Sequence, residues 1–332
     1  MTLIPKRSRW KSQREGFLDS LNYLQGRMRG EIKSFKTPWI KFDDAGTNGL
    51  EWNSTIVMGA RPGTGKTLFK DQLIREGFVK NAGEDFRVLD FELEMMARTS
   101  AIREYSAVLG RSYKYLCSAD GNLAQEDLTK CHEYAKERVK YPIDIVENPC
   151  TINEFVEIVM DYMEEHSFME QGKKIYRKTL ISIDHAYLFK KGPAEKDKFD
   201  MLYNLGEQLT FLKRRYPIIF IVLTQLNRSI DNPERNEDGK YANYILSSDI
   251  FGADALLQHA DILVGMNMPG RQKIRYYGPE RFIIDSDNII AMHFLKCRNG
   301  DSRIGFFKAE FEKMRIIEIP VPAMQQRKMS TT

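Results

Sequence analysis

The stretch Thr55-Ile56-Val57-Met58-Gly59-Ala60-Arg61-Pro62-Gly63-Thr64-Gly65-Lys66-Thr67-Leu68-Phe69 constrains the fold more than any other part of the chain. A short apolar, β-branched run meets a glycine-bearing loop that opens directly into a helical pattern, which is the context a phosphate-binding loop requires. Gly63 and Gly65 let the backbone curl until successive N–H groups converge on phosphate oxygens at a positive helix N-terminus. In such a loop the Lys66 ammonium reaches the β- and γ-phosphates and the Thr67 hydroxyl ligates Mg²⁺. The nucleotide-binding segment is therefore Ala60, Arg61, Pro62, Gly63, Thr64, Gly65, Lys66, Thr67 and Leu68, and the expected ligands are ATP (or another nucleoside triphosphate) and Mg²⁺. The strict pattern has glycine where this chain has Ala60. A glycine-containing turn before an ordinary helix is the bland alternative, and Gly-Lys-Thr in register after a strand weighs against it.

A chain of 332 residues with 42% hydrophobic and 29% charged residues can hold one large α/β domain with an extension, or two small ones. No apolar run approaches the ~20 residues that span a bilayer, and the N-terminus lacks the apolar core of a signal peptide. No membrane partner and a cytoplasmic location are expected. Cys117, Cys131, Cys150 and Cys297 lack metal-ligand spacing, which suits reduced thiols. The net charge of +4 says little by itself. Its distribution says more: Lys6, Arg7, Arg9, Lys11, Arg14, Arg27, Arg29, Lys33 and Lys36 outweigh Glu15, Asp19 and Glu31 in the first 36 residues. A basic leader of this kind fits nucleic acid and a solvated arm equally well.

Residues 1–14 read as a basic, disordered leader. Phe17, Leu18, Leu21, Leu24 and Met28 recur at helical spacing, which predicts an amphipathic helix from Glu15 to about Arg29 within a linker segment 15–36. The segment 37–320 reads as the main domain and 321–332 as a disordered tail. After the phosphate loop, strands are predicted at 87–91, 143–146, 179–184 and 218–223, and helices at 68–79, 95–109, 124–139, 151–163 and 199–215. Residues 227–247 form a polar loop long enough to be functional. A helix near 253–260 and strands at 262–266, 289–295, 303–309 and 314–319 follow. Alternating strands and helices to about residue 224 imply a mostly parallel sheet covered on both faces. The last third reads as an antiparallel extension of it.

Ligands of open α/β sheets sit at the carboxyl ends of the strands. Asp184 ends an apolar strand in the Walker B manner and is a candidate Mg²⁺ ligand together with Thr67; alone, an Asp there equally starts a turn. Glu94, just past the second strand, is a candidate general base, or else a residue stabilising a helix N-terminus. Gln225 closes the strand at 218–223 and is placed to sense the γ-phosphate.

At this point six segments, in order, carry a resemblance: Gly59-Ala60-Arg61-Pro62 through Gly65-Lys66-Thr67; Phe91-Glu92-Leu93-Glu94-Met95; Ile183-Asp184-His185; Thr224-Gln225-Leu226-Asn227-Arg228-Ser229; Ser248-Asp249 through Gln258-His259-Ala260-Asp261; and Lys296-Cys297-Arg298-Asn299-Gly300. Across about residues 40–319 the chain resembles the motor domain of DnaB-type replicative helicases, whose phosphate loop also reads Ala-Arg-Pro. The resemblance implies a RecA-like P-loop NTPase core with a mostly parallel sheet and an antiparallel C-terminal extension, preceded by a short N-terminal linker helix that docks on an adjacent subunit. It implies a homo-oligomer, expected as a hexameric ring, that moves 5′→3′ on single-stranded or forked DNA, with a separate primase or loader as a further partner. It makes Glu94 the catalytic base, Lys66 and Gln225 phosphate-contacting catalytic groups, and Arg298, with Lys296 beside it, the arginine finger for a neighbouring subunit. The Asn-Gly turn at Asn299-Gly300 is compatible with that role. The chain departs from the family where typical members place Arg-Glu in the DNA-gripping loop and this chain has Phe251-Gly252. Phe251 then either stacks on a base or anchors the loop, the Gly252 N–H is available to a phosphate, and Arg228 and Lys240 are substitute cations. Two other readings share the core: a RecA/RadA-like recombinase or mediator, and an ATP-switched assembly or loading factor.

Overall fold

The computed structural model describes residues 10–236, 243–301 and 303–320. Most of the leader expected at 1–14, and all of the tail expected at 321–332, lie outside the described residues, as does Lys240. In chain order the elements are α1 (Gln13–Met28), α2 (Ile40–Ala45), β1 (Ser54–Ala60), α3 (Lys66–Lys80), β2 (Phe86–Glu92), α4 (Ala97–Leu109), α5 (Tyr113–Leu116), α6 (Gln125–Arg138), β3 (Ile143–Val146) and α7 (Ile152–Glu165). A small hairpin, β4 (Phe168–Glu170) and β5 (Lys173–Ile175), precedes β6 (Lys178–Asp184), α8 (Lys198–Arg215), β7 (Ile218–Gln225), α9 (Pro233–Asn236), α10 (Ala253–Leu257) and β8 (Ile262–Asn267). A second hairpin, β9 (Tyr276–Tyr277) and β10 (Phe282–Ile283), leads to β11 (Ile289–Cys297), β12 (Ile304–Glu310) and β13 (Arg315–Ile319).

Nine strands form one sheet in the order β13-β12-β11-β8-β1-β7-β6-β2-β3. The six from β8 to β3 are mutually parallel, and β11, β12 and β13 are antiparallel. This corrects the sequence expectation at one element. Residues 262–267 belong to the parallel part, because α10 and the loop before it cross over from β7 and return the chain alongside β1. The antiparallel extension starts only at β11.

The central strands are apolar on both faces, as parallel strands covered by helices on each side must be. In β7, Ile218, Phe220 and Val222 pack with Phe155 and Val159 of α7 and Leu205 and Leu209 of α8. The alternate residues Ile219, Ile221 and Leu223 face Phe69 and Leu73 of α3 and Phe42 of α2. Phe69 also stacks on Trp39 with ring centroids 4.4 Å apart, and the Trp39 indole donates to the Ile316 carbonyl at 2.9 Å. Burying side chains of this size contributes ~1.5–3 kcal/mol each, more than the ~0–1 kcal/mol of a surface ion pair. Phe35 and Trp39 thus belong to the same core as β1, whereas α1 ends at Met28.

Helix α1 starts at a capping box: the Ser12 hydroxyl accepts from the Glu15 N–H and Glu15 accepts from the Ser12 N–H. Its apolar residues are uncovered within the protomer, with Phe17 64%, Leu24 60% and Met28 80% exposed.

Candidate active site

Strand register gathers the chemistry at one edge of the sheet. Ala60, the last residue of β1, lies opposite Gln225, the last of β7. Glu92 of β2 lies opposite Asp184, the last of β6, and Glu94 follows two residues later. Gly65 caps α3 with φ +98°, a left-handed conformation glycine adopts without a Cβ penalty. Ala60 sits in the regular strand, buried and outside the left-handed region, so its place in the pattern does not require glycine. Within the loop, the Thr64 N–H and hydroxyl both donate to the Arg61 carbonyl, at 3.3 and 2.8 Å. Pro62 and Gly63 are exposed at its tip, and Leu68 is buried beneath it. The Arg61 guanidinium turns toward the segment after β7, pairing with Asp231 at 2.7 Å and donating to the Leu226 carbonyl at 3.4 Å.

Lys66 is only 9% exposed and donates from Nζ to the Thr224 carbonyl at 2.9 Å. Burial lowers its pKa, partly offset by Asp184 and Glu94. A desolvated ammonium at a helix N-terminus favours an anionic partner. Thr67 Oγ1 donates to Asp184 Oδ2 at 2.7 Å, while Asp184 Oδ1 is buried without a hydrogen-bond partner among the described residues. A hydroxyl beside a carboxylate with an unpaired oxygen is the hard-oxygen set that suits Mg²⁺, which commonly takes one or two protein ligands and completes its shell with phosphate and water. Among the described residues no group of three or more His, Cys, Asp or Glu side chains gathers as a self-sufficient metal site.

The Glu94 side chain is 54% exposed and makes no hydrogen bond among the described residues; its Oε2 lies 3.8 Å from His185 Nε2. Gln225 Nε2 lies 3.4 Å from the same nitrogen. His185 is buried, and burial together with nearby Lys66 pulls its pKa down to about 4, so the ring is neutral at pH 7. These groups open on a cleft of about 850 Å³ lined by Gly65, Lys66, Thr67, Glu94 and Gln225, and also by Arg103, Arg271 and Phe311.

Three of these neighbours received no role from the sequence. Arg271 donates to the Gly63 carbonyl at 2.8 Å with its guanidinium 4.9 Å from the Phe311 ring centre. Both follow β8 in segments without a motif, and only the fold returns them to the phosphate loop. His185 stood next to Asp184 in a motif, but its burial between Glu94 and Gln225 was not readable from spacing.

Arg298 and Lys296 do not join this cleft. Cys297 pairs with Ile262 at the start of β8, whereas Met266, near the other end of that strand, pairs with Ala60. Four residue steps at ~3.3 Å place Arg298 about 13 Å or more along the sheet from the phosphate loop. There Arg298 is held by Asp261, through a 2.9 Å ion pair and a 2.9 Å bond from its N–H to the Asp261 carbonyl. Asp261 in turn accepts from the Thr55 N–H at 2.8 Å and pairs with Lys213. Lys296 donates to the Leu257 carbonyl at 2.6 Å.

The candidate DNA contacts lie on the segments after β6 and β7. Arg228 is exposed. The Phe251 ring lies between Tyr187 and Phe199, with centroids 5.0 and 5.4 Å away, and its N–H donates to the Gln225 carbonyl at 2.8 Å. Gly252 has φ +70° and is buried, and a Cβ there would lie 2.6 Å from Leu202 Cδ1. Close packing therefore requires glycine at this position.

Solved structures share this architecture. One of them, an ATPase domain solved by itself, superposes with a TM-score of 0.73 at 17% identity, covering 91% of this chain and 98% of that one. A DnaB-like replicative helicase, solved in a study of its interactions with primase, gives 0.69 at 18% identity over 87% of this chain and 64% of the other. Among sequences, the replicative DNA helicase DnaB of Helicobacter pylori is 25% identical over 251 residues, 75% of this chain and 47% of that protein. The replicative DNA helicase DnaC of Bacillus subtilis is 25% identical over 283 residues, 85% of this chain and 56% of that protein. The chain spans about half the length of the curated relatives it matches. The model of the DnaB-like helicase C-terminal domain matches residues 35–315, which takes in β1 through β12 and every site residue described above, and the chain belongs to that family.

Proposed function

We propose that this chain is the ATP-driven motor of a ring-forming DNA helicase that moves 5′→3′ on single-stranded DNA. The observation that carries the reading is the pairing of a nearly complete hydrolytic cleft with an arginine held elsewhere. Lys66, Thr67, Glu94, Asp184 and Gln225 share one sheet edge, while Arg298 is fixed by Asp261 too far away to serve the same cleft. An arginine so placed serves a neighbouring protomer's nucleotide, where a finger is generally worth ~10³–10⁵ in rate. The uncovered apolar side of α1 supports assembly.

In this reading the N–H groups of the phosphate loop and Lys66 hold the triphosphate. Glu94, exposed to the cleft, accepts the proton of the attacking water at its carboxylate oxygen. Thr67 and Asp184 would hold Mg²⁺, which when bound neutralises charge on the phosphate oxygens. Gln225 contacts the γ-phosphate and passes its loss to the backbone of Phe251, and Arg61 links the phosphate loop to the same region through Asp231. Phe251 and Arg228 lie where that movement would reach DNA. A separate primase or loader is a further expected partner.

The test is steady-state ATP hydrolysis with Mg²⁺, with and without oligo-dT. Turnover that rises on adding oligo-dT is expected. Turnover indifferent to single-stranded DNA would contradict a DNA motor.

A further inference from the structure

We propose that His185 is a positioning residue that couples the base Glu94 to the sensor Gln225 by offering one N–H to whichever of the two is free to take it. This rests on the ATPase reading above. The imidazole Nε2 is the point where the two groups converge, 3.8 Å from Glu94 Oε2 and 3.4 Å from Gln225 Nε2. The other ring nitrogen, Nδ1, is buried with no hydrogen-bond partner among the described residues, and the side chain as a whole is only 6% exposed.

That orphaned nitrogen selects the tautomer. If Gln225 donated to Nε2, the ring proton would sit on Nδ1, leaving a buried N–H without an acceptor, which proteins rarely tolerate. With the Gln225 amide turned so that its oxygen faces the ring, Nε2–H donates and Nδ1 keeps only an unused lone pair. The orientation of a Gln amide is assigned from such networks. A single N–H then faces two acceptors, the Gln225 amide oxygen and the Glu94 carboxylate.

The consequence is a switch made of hydrogen bonds alone. While Gln225 engages His185, the Glu94 carboxylate is unrestrained, as its 54% exposure shows. When Gln225 turns to a γ-phosphate it vacates Nε2–H, which then donates to one Glu94 oxygen. That orients the other oxygen toward the attacking water. Glu94 is aligned only when the sensor is engaged, and neither bound ATP nor its affinity need depend on His185.

The experiment compares His185→Ala and His185→Gln, each alone and combined with Gln225→Ala, in oligo-dT-stimulated ATP hydrolysis by the full chain. The Gln side chain places an N–H near the site of Nε2, whereas Ala removes it. The expected results are a fall in kcat of about ten-fold or more for His185→Ala with KM for ATP within about two-fold, and recovery to within about three-fold of wild type in His185→Gln. Because the two residues act as a unit, adding Gln225→Ala to His185→Ala is expected to cost at most a further two-fold or so. Unchanged kcat in His185→Ala, losses that multiply with Gln225→Ala, or a His185→Gln variant as slow as His185→Ala would each overturn the proposal. The wild-type arm separates the two layers: absent ATP turnover there overturns the underlying ATPase reading, while normal wild-type turnover with any of those three variant results overturns only the role of His185.

Discussion

At the residue scale, Glu94 and Lys66 illustrate how differently two catalytic candidates are held. Lys66 is buried and tied to the Thr224 carbonyl, while Glu94 is more than half exposed and makes no hydrogen bond among the described residues. Glu94→Gln removes the base yet touches no contact that shapes the phosphate loop. It is expected to bind a fluorescent ATP analogue as wild type does while kcat falls at least about a hundred-fold. Hydrolysis within a few-fold of wild type would contradict the assignment. Lys66, Thr67, Asp184, Glu94 and Gln225 were legible because each is tied to a strand end or loop whose position the apolar pattern gives. Arg271 and Phe311 were not legible, since their approach to the phosphate loop depends on how the chain returns after β8. Phe251 was read as a base-stacking residue or an anchor, and its two ring neighbours show how the loop is braced without excluding its exposed edge from DNA.

At the element scale, the strands were readable because apolar runs buried on both faces differ from amphipathic helices. Residues 143–146 were placed with the observed bounds, and Thr151 was expected to cap the helix after them. Partner and direction were harder to read. β8 is a short apolar run that is compatible with either a parallel or an antiparallel neighbour, and only its alignment with β1 decides. The hairpins β4–β5 and β9–β10 are too short to show a period. The extension carries its own titratable core group. His293 of β11 is buried, bonded to the Tyr277 hydroxyl at 2.7 Å, and burial pulls its pKa down to about 3 against the weak opposing pull of Asp249. Between pH 6.5 and 3 the unfolded chain takes up a proton at this site and the folded chain does not. The stability is therefore fully present above about pH 6.5 and is lost as pH falls through that window. In thermal melts from about pH 7 to 4, His293→Gln is expected to flatten the decline in Tm. An unchanged slope would show that other groups control acid sensitivity.

At the scale of the whole molecule, two features point beyond the protomer. The apolar residues of α1 lack cover among the described residues, and Arg298 stands at the far end of the sheet from its own phosphate loop. If Arg298 completes a neighbour's site, Arg298→Ala protein mixed in small amounts into wild type should depress ATP turnover by more than its mole fraction. Strictly proportional loss would place each site within one chain. Membership of the DnaB-like helicase C-terminal domain family favours the helicase over the recombinase and switch readings that share this core. The most direct measurement is displacement of a labelled strand from forked DNA bearing either a 5′ or a 3′ loading tail, with ATP and Mg²⁺. Unwinding that requires the 5′ tail, and disappears in Glu94→Gln, is the expected result. Displacement that requires the 3′ tail, or none on either fork while oligo-dT still stimulates hydrolysis, would contradict a 5′→3′ helicase motor.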